Sequence, residues 1–405
     1  MNSSVLPRVA VTGVGCVTAL GGDVVKTWEA LCAGRSARGP LTAIPVEGCR
    51  VTEGAQAELP DLPGYSARQL SRFSRASRLA IPAVGEALAQ AGLLDDGGRC
   101  MLERLELSVS TTSCGMEKGE EFLKAVWSGD AIGQTARVAR YQAQQQIGEI
   151  QRAFGFAGPA MIVANACAGG ANAIGHALDL LHIGAAEIVL AGGYEALCEM
   201  VFTGFDSLQS LAPEACRPFD VNRNGLMIGE GAAFLVMENE ARARQRGAQI
   251  LGYVTGYGFA TDLNHLTQPS QDGEPLERAI RMALAEAGIS PRDVGYINAH
   301  GTGTPLNDGA ESAVFARVFD GGSTKVSSTK AAMGHTLGAA GAIEAALCLM
   351  ALQTEMLPPQ INLQNPEPAV AGMLVPPGAR AAMGVALSVN LGFGGSNAAL
   401  AFASP

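Results

Sequence analysis

The chain of 405 residues is 48% hydrophobic and contains 51 glycines, so it can build a large core as one domain or as two closely packed halves. Its formal net charge of −10 speaks against nucleic acid as a partner. The chain has nine cysteines but no CxxC pair and no signal peptide, which predicts reduced thiols in the cytoplasm. No His/Cys pair has the spacing of a metal site, so we expect no metal.

The first candidate motif along the chain is rich in glycine. The segment Gly13-Val-Gly-Cys-Val-Thr18 follows a predicted strand and matches half of a dinucleotide-binding fingerprint. The third glycine of that fingerprint is missing, and no Walker-type Lys-Ser/Thr pair follows any glycine-rich loop. We therefore interpret the segment as a tight turn between a strand and a helix, and we expect the protein to use no cofactor.

Four arginines follow at helical spacing. Arg68, Arg72, Arg75 and Arg78 are separated by 4, 3 and 3 residues, which would place them on one face of a helix. Like charges on one face repel each other unless an anion neutralises them. The pattern fits either a solvated helix face or a docking site for an acidic partner.

The middle of the chain contains a candidate nucleophile. Residues 153–178 carry no formal charge, but their Gly, Pro and Asn content favours a buried strand and helix over a membrane span, and we expect no membrane contact. Cys167 lies where this strand meets a helix of Ala and Gly. A thiol there faces the unpaired N–H groups and the positive dipole end of the helix, which favours the thiolate, although most buried cysteines are inert.

A weak internal repeat relates two parts of the chain. Residues 163–181 and residues 326–350 each read as a strand followed by a Gly/Ala helix. Each half also closes with strands, around residues 231–237 and 386–402. Alternating strands and helices in both parts predict a duplicated α/β fold of sheets layered with helices.

The boundary between the two halves is predicted from charge and from a glycine. Glu238–Arg246 is charged and helix-prone, and Gly247 is a natural helix stop. We expect an N-terminal half at residues 1–247, which holds the cysteine nucleophile, and a C-terminal half at residues 248–405.

Two of the five histidines lie at glycine-rich ends of predicted strands. His300 precedes Gly-Thr-Gly-Thr, and His335 follows Lys-Ala-Ala-Met-Gly. His176 and His182 fall on the helix after the cysteine, where packing or surface roles are more common, and His265 lies in a polar loop with no assigned role. A lone histidine is usually structural, but two in this setting, with a matching cysteine, indicate a catalytic group.

Four motifs in the same order resemble the β-ketoacyl-[acyl carrier protein] synthases of the elongating Cys-His-His type. They are Ala166-Cys-Ala-Gly-Gly170, His300-Gly-Thr-Gly-Thr304, Lys330-Ala-Ala-Met-Gly-His-Thr-Leu-Gly338 and Asn390-Leu-Gly-Phe-Gly-Gly-Ser-Asn397. The resemblance runs from residue 9 to residue 402. It implies the thiolase fold, a duplicated α-β-α-β-α arrangement of five layers with two buried central helices, and a homodimer.

The resemblance also implies a decarboxylating Claisen condensation. Cys167 would take an acyl group from an acyl carrier protein, and malonyl on a second carrier would decarboxylate to an enolate that attacks the acyl-cysteine and gives a 3-oxoacyl thioester. His300 and His335 would donate hydrogen bonds to the enolate oxygen, and the backbone N–H groups of Cys167 and Phe393 would hold the tetrahedral oxyanion. Fatty-acid synthesis and type II polyketide or polyene synthesis are the implied pathways.

The resemblance assigns supporting roles to other polar residues. Lys330 would position His335, and an ion pair with Glu344 would let both charges be buried. Asp308 and Glu311 match the family's acidic pair and would form a buried polar network. Their spacing also resembles a capping box at a helix start, and both interpretations stay open.

Substrate-binding roles follow from the same resemblance. Phe393 would gate the acyl pocket, and Cys114 aligns with a position that lines the acyl tunnel. Arg68 and Arg72 fall where relatives carry basic residues that dock the carrier, and Arg75 is a further candidate for that role.

One departure from the family limits these expectations. Residues 129–150 are polar and helix-prone, where relatives carry an aromatic, proline-rich segment that lines the far pocket and the dimer interface. Acyl-chain length, the carrier, the pathway and the choice between homodimer and heterodimer therefore stay open. Two other functions are considered, a non-condensing acyltransferase and a chain-length partner subunit of a heterodimeric synthase. The retained cysteine and both histidines favour condensation over them.

Overall fold

The computed structural model describes residues 6–130, 132–320 and 322–405. Within these ranges the strands are β1 Val9–Thr18, β2 Arg38–Pro40, β3 Glu53–Ala55, β4 Glu106–Ser110, β5 Ala160–Val163, β6 Ile188–Glu195, β7 Gly231–Asn239, β8 Gly252–Thr261, β9 Tyr296–Asn298, β10 Lys325–Ser327, β11 Val385–Gly392 and β12 Ser396–Ala403. The α-helices are α1 Val24–Cys32, α2 Ala67–Leu70, α3 Arg75–Gln90, α4 Met116–Trp127, α5 Thr135–Tyr141, α6 Ala143–Phe154, α7 Gly169–His182, α8 Glu199–Ser207, α9 Glu240–Gln245, α10 Glu274–Ala287, α11 Pro305–Val318, α12 Lys330–Met333 and α13 Ala340–Thr354.

Ten of these strands form one mixed sheet whose pairing repeats outward from its centre. The strand order is β10-β9-β11-β12-β8-β1-β7-β6-β4-β5, and β1 pairs with β8 in antiparallel fashion at the centre. On one side β7 and β6 follow in antiparallel pairing and β4 and β5 in parallel pairing, and on the other side β12 and β11 are antiparallel and β9 and β10 parallel. The predicted duplication is confirmed by this symmetry.

Helices α7 and α13 form the central layer of the molecule. They pack against each other and against strands of both half-sheets, while α3 covers the outer face of one half and α10 the outer face of the other. This gives the five layers of the thiolase fold. The run Leu337–Thr354, which includes α13, is long and apolar enough to cross a membrane by composition, but 83% of it is buried inside the fold.

The glycines near the N-terminus allow close packing of a helix and do not form a turn. Gly13 and Gly15 lie inside β1, so the predicted tight turn is wrong. A Cβ atom on Gly15 would lie 1.9 Å from the carbonyl oxygen of Ala83 in α3. A Cβ atom on Gly258 in β8 would likewise lie 1.9 Å from the carbonyl oxygen of Ala279 in α10, so the same close packing recurs in the second half. The outer helices sit close to the sheet because a side chain is missing there.

Candidate active site

Cys167 lies in a strained turn between β5 and α7. A single 3₁₀ turn, Ala166–Ala168, joins them, and Ala166 has a φ angle of +44°. Leu337, at the matching position before α13, has a φ angle of +46°. Non-glycine residues avoid this region at a cost of about 1–3 kcal/mol, and such strain clusters at functional sites. The turn places the buried Cys167 at the start of the central helix, as the sequence predicts.

The structure brings the predicted cysteine and both predicted histidines together. His335 Nε2 lies 3.0 Å from Cys167 Sγ, which is hydrogen-bond distance. The rings of His300 and His335 are 5.2 Å apart between centroids and almost perpendicular. The backbone N–H of Phe393 also donates toward the sulfur. His335 thus contacts the sulfur, and the His300 ring lies next to that of His335 on the same cavity wall.

Burial decides the protonation states of these groups. Burial raises the pKa of Cys167 to about 12, although Lys330 and the Phe393 N–H act in the opposite direction. Burial, together with the charge of Lys330, holds the pKa values of His300 and His335 well below their usual range. At neutral pH the site is therefore a thiol facing neutral imidazoles. The expectation that the helix end favours a resting thiolate is not met, because desolvation outweighs it.

We expect the alkylation of Cys167 by iodoacetamide to follow this raised pKa. Since only the thiolate reacts, the rate should rise about tenfold per pH unit between pH 7 and pH 9, without a plateau. Peptide mapping by mass spectrometry separates Cys167 from the other cysteines. A plateau below pH 8 would show a resting thiolate and contradict this electrostatic description.

Lys330 is buried and paired as predicted. Its ammonium group contacts the carboxylate of Glu344 on α13 in a buried ion pair. Asn390 Nδ2 donates to the other oxygen of Glu344 at 2.6 Å. Because α12 begins at Lys330 and ends just before His335, the pair fixes the segment that carries the histidine. Lys330 supplies positive charge that disfavours imidazolium in the site, and its role in positioning His335 stays a prediction.

The acidic residues of α11 hold the loop that carries His300. Glu311 accepts hydrogen bonds from the backbone N–H groups of His300 at 2.8 Å and Gly301 at 2.7 Å. Asp308 accepts from the backbone N–H groups of Gly303 and Phe219, and Asn307 Nδ2 donates to both carboxylates. The predicted buried network is confirmed. The capping-box interpretation is wrong, because Thr304 is the N-cap and both acids lie inside the helix.

A cavity of about 440 Å³ leads from the surface to the cysteine. Cys167, His300 and His335 lie on its wall together with Phe393. The centroids of the Phe393 and Phe205 rings are 5.7 Å apart, and both residues line the cavity. Sequence patterns gave no signal for Phe205, because it approaches the site only through tertiary packing.

Two other residues, His265 and Cys114, are compared with the lining of this cavity. His265, which had no assigned role, lines this cavity. Cys114 is not among the residues that line it, so its place in an acyl tunnel stays a prediction. Within the described part of the chain, no group of three His, Cys, Asp or Glu side chains is arranged to hold a metal ion.

The four arginines do not share a helix face. Helix α2 ends at Leu70, and α3 begins at Arg75 behind the N-cap Ser74. Arg68 and Arg72 are exposed, and their docking role stays a prediction. For Arg75 the prediction is wrong, because its guanidinium group binds the buried Glu230 in a bidentate pair and donates to the carbonyl of Ala57.

We expect Arg75→Ala to destabilise the fold. Removing one partner leaves the buried Glu230 carboxylate uncompensated, which costs about 3–5 kcal/mol. Urea unfolding followed by circular dichroism measures the loss. Arg72→Ala is the matched control and should change the free energy of unfolding by less than about 0.5 kcal/mol. Equal effects of the two variants would contradict the structural role of Arg75.

These features define a thiolase-fold acyl-transferring enzyme: a duplicated five-layer fold, a buried cysteine at the start of one central helix, and two histidines on the same cavity wall. Residues 7–243 match the model of the beta-ketoacyl synthase N-terminal domain, and residues 251–364 match that of the C-terminal domain. The chain belongs to the beta-ketoacyl synthase family.

Individual relatives are similar to this protein over nearly the whole chain. The chain is 37% identical to "Nodulation protein E" of Rhizobium sp. (strain N33), with 98% of each chain covered. It is 34% identical to "3-oxoacyl-[acyl-carrier-protein] synthase 2" of Synechocystis sp., with 98% of this chain and 97% of the relative covered. Among solved structures it resembles "The ishigamide ketosynthase/chain length factor" with a TM-score of 0.90, 31% identity, and 99% and 100% of the two chains covered.

Proposed function

We propose that the protein catalyses the decarboxylating condensation of an acyl thioester with malonyl-acyl carrier protein, in fatty-acid or polyketide synthesis. One observation carries the proposal: a cysteine and two neutral, buried imidazoles meet on the wall of one cavity. A neutral imidazole can donate a hydrogen bond to a developing enolate without adding a full charge to a buried site. The nine free cysteines fit a reducing compartment, and we propose the cytoplasm.

The first half-reaction loads the enzyme. Cys167 Sγ attacks the carbonyl of the acyl thioester, and its proton passes by way of His335 Nε2 to the departing carrier thiolate. The bond from Cys167 Sγ to the acyl carbonyl carbon forms first, and the thioester bond between that carbon and the carrier sulfur then breaks. The Phe393 N–H, which interacts with the sulfur, would donate to the tetrahedral oxyanion.

The second half-reaction forms the carbon–carbon bond. Malonyl thioester loses CO₂, and the electron pair of the broken bond becomes an enolate whose oxygen accepts hydrogen bonds from the N–H groups of His300 and His335, the latter now in the neutral tautomer that carries its proton on Nε2. The enolate carbon attacks the acyl-cysteine carbonyl, and collapse of the tetrahedral intermediate expels the thiolate of Cys167. That thiolate takes up one proton from solvent, which regenerates the thiol favoured by the buried site.

A second chain is proposed to cover two features of the surface: exposed apolar side chains on the contacting helices α4 and α5, and the edge strand β5. Trp127 is 79% exposed, and Leu123, Val126, Val138 and Tyr141 are exposed beside it. Strand β5 also ends the sheet with an unpaired edge, which invites pairing with another chain. We propose a homodimer, with a heterodimer as the alternative, since the ishigamide protein is a ketosynthase/chain length factor. Analytical ultracentrifugation of the purified chain should give twice the monomer mass, and a monomer would favour the heterodimer.

The proposed reaction is tested by its products. Purified protein receives a panel of acyl carrier proteins with acyl groups of different length, together with malonyl-acyl carrier protein. We expect stoichiometric release of CO₂ and of a 3-oxoacyl carrier, identified by mass spectrometry. Acyl transfer to an alcohol or amine without CO₂ release would support the non-condensing acyltransferase instead. The absence of any product in every reaction would support a chain-length partner subunit of a heterodimeric synthase.

A further inference from the structure

Helix α8 contributes to the wall of the catalytic cavity. Phe205 lines the cavity, and the centroid of its ring is 5.7 Å from that of Phe393. Phe202, three residues earlier and on the same face of the helix, is buried in one hydrophobic cluster with Cys167 and Leu337. The position of α8 therefore fixes one side of the space that a substrate enters.

The N-terminus of α8 is capped by a side chain from another helix. Its N-cap residue is Cys198, and cysteine is not among the residue types that cap helices well, because sulfur is a weak acceptor. Glu120 of α4 accepts hydrogen bonds from the backbone N–H groups of Met200 at 2.8 Å and Glu199 at 3.3 Å. It thus satisfies two N–H groups that the helix itself leaves without an acceptor, and its negative charge suits the positive end of the helix dipole.

Helix α4 is a fixed support for this cap. Lys124, one turn after Glu120, forms an ion pair with Glu199 and so offsets the repulsion between the two carboxylates at the start of α8. At the other end of α4, the carboxylate of Glu117 accepts a hydrogen bond from the backbone N–H of Arg75 at 2.5 Å, where α3 begins. The start of α8 is therefore tied through α4 to a helix of the outer layer.

The C-terminal end of α8 is held by a second carboxylate. Asp206 accepts hydrogen bonds from the backbone N–H groups of Arg50 at 2.8 Å and Val51 at 3.2 Å. A helix of nine residues is too short to be stable alone, and the main contact of α8 with another described helix or strand is with α4. Its position therefore depends on these end contacts and on the buried Phe202.

We infer that Glu120 is a positioning residue for the proposed condensation, because by capping α8 it holds Phe205 in place on the cavity wall. The inference rests on the proposed function, since it concerns how the substrate of that reaction fits the cavity. Without the cap the first turn of α8 frays, and in a helix of about two and a half turns this loosens the turn that carries Phe205. Cys167 and His335 lie on other segments, so KM for the acyl donor should rise while kcat of loading changes little.

Hydrogen exchange tests the cap itself. In Glu120→Ala we expect the amide hydrogens of residues 199–207 to exchange at least about fivefold faster than in wild type, the size of effect that loss of a cap produces. Glu121→Ala is the matched control, because Glu121 is the next residue of α4 and pairs with Lys118 at 2.8 Å. Its exchange in α8 should match wild type. Glu120→Gln keeps one carbonyl acceptor and should restore most of the protection.

Loading of Cys167, measured by intact mass, tests the consequence for the reaction. With the acyl carrier protein that loads wild type fastest, we expect Glu120→Ala to raise KM at least about fivefold and to keep kcat within about twofold. Glu121→Ala should stay within about twofold of wild type in both constants. Phe205→Ala should raise KM at least as much as Glu120→Ala. The double variant Glu120→Ala/Phe205→Ala should resemble Phe205→Ala, because residues that act through one contact are not additive.

Three results would overturn the inference. They are an unchanged KM or unchanged exchange in Glu120→Ala, losses that multiply in the double variant, and global unfolding of Glu120→Ala in circular dichroism, since the assigned role is local. Failure of wild type to load from any carrier of the panel would instead contradict the proposed function.

Discussion

Cys167→Ala should abolish acyl loading and condensation, with a loss of at least about 10⁴-fold in kcat. Loss of a nucleophile that works as a unit with its base removes nearly the whole contribution of that unit, so the remaining rate is close to background. The proximity of His335 Nε2 at 3.0 Å identifies Cys167 as the only sulfur with a base in hydrogen-bond contact among the described residues. Formation of the acyl-enzyme, measured by intact mass, should be undetectable in the variant.

The matched control for this experiment is Cys32→Ala. Cys32 is partly buried at the end of α1, packs against the central core and is not among the residues that line the cavity. Its variant should load the acyl group at the wild-type rate. Acylation of Cys167→Ala at another cysteine, found by peptide mapping, would contradict the assignment of the nucleophile.

The two histidine variants should separate the two half-reactions. His300→Ala should load normally but lose about 10²–10³-fold in condensation, because it removes one hydrogen-bond donor to the enolate. His335→Ala should slow both steps, because His335 alone contacts the sulfur among the two histidines. In the presence of both carriers, His300→Ala should therefore accumulate acyl-enzyme, and His335→Ala should not. Stopped reactions examined by intact mass distinguish these outcomes.

His182→Ala is the control for removing an imidazole. His182 ends α7 and lies 3.6 Å from Glu286, and it is absent from the cavity wall. Its variant should turn over like wild type. If His300→Ala lost loading and condensation equally, the two histidines would not have separate roles, and this division of labour would be wrong.

The catalytic group could be predicted from the sequence because each member stands in a distinctive local pattern. Cys167 and His335 lie beside Gly/Ala helices, and His300 lies in a glycine-threonine turn, so family motifs locate all three. The Lys330–Glu344 pair was also predictable, since two opposite charges in otherwise uncharged helices must find each other. These are short-range signals, and the fold brings them to one place.

Other features depend on competition between local signals. The spacing of the four arginines suggested one helix. Ser66 and Gln69 form a capping box at the start of α2, and Ser74 is the N-cap of α3, so there are two helices with a gap between Leu70 and Arg75. Those capping residues were present in the sequence and outweigh the spacing. The glycine pair in β1 resembled a turn, and only the packing of α3 explains why a side chain is missing there.

Long-range properties could not be predicted from local patterns. The start of the helix after Cys167 suggested a thiolate, but the extent of desolvation, which raises the pKa of Cys167 to about 12, is set by the surrounding core. The contact of Phe205 with Phe393 and the position of His265 on the cavity wall join segments that are far apart in the chain. Each is a consequence of tertiary packing.

The most direct test of the central claim follows the mass of the intact wild-type enzyme over time. With the acyl carrier alone, we expect one acyl group to appear on Cys167 and to persist. When malonyl-acyl carrier protein is added, the acyl mass should disappear as CO₂ and a 3-oxoacyl carrier form in equal amounts. An acyl-enzyme that malonyl carrier leaves intact, or an enzyme that never acquires the acyl mass from any carrier of the panel, would contradict the account of a condensing synthase.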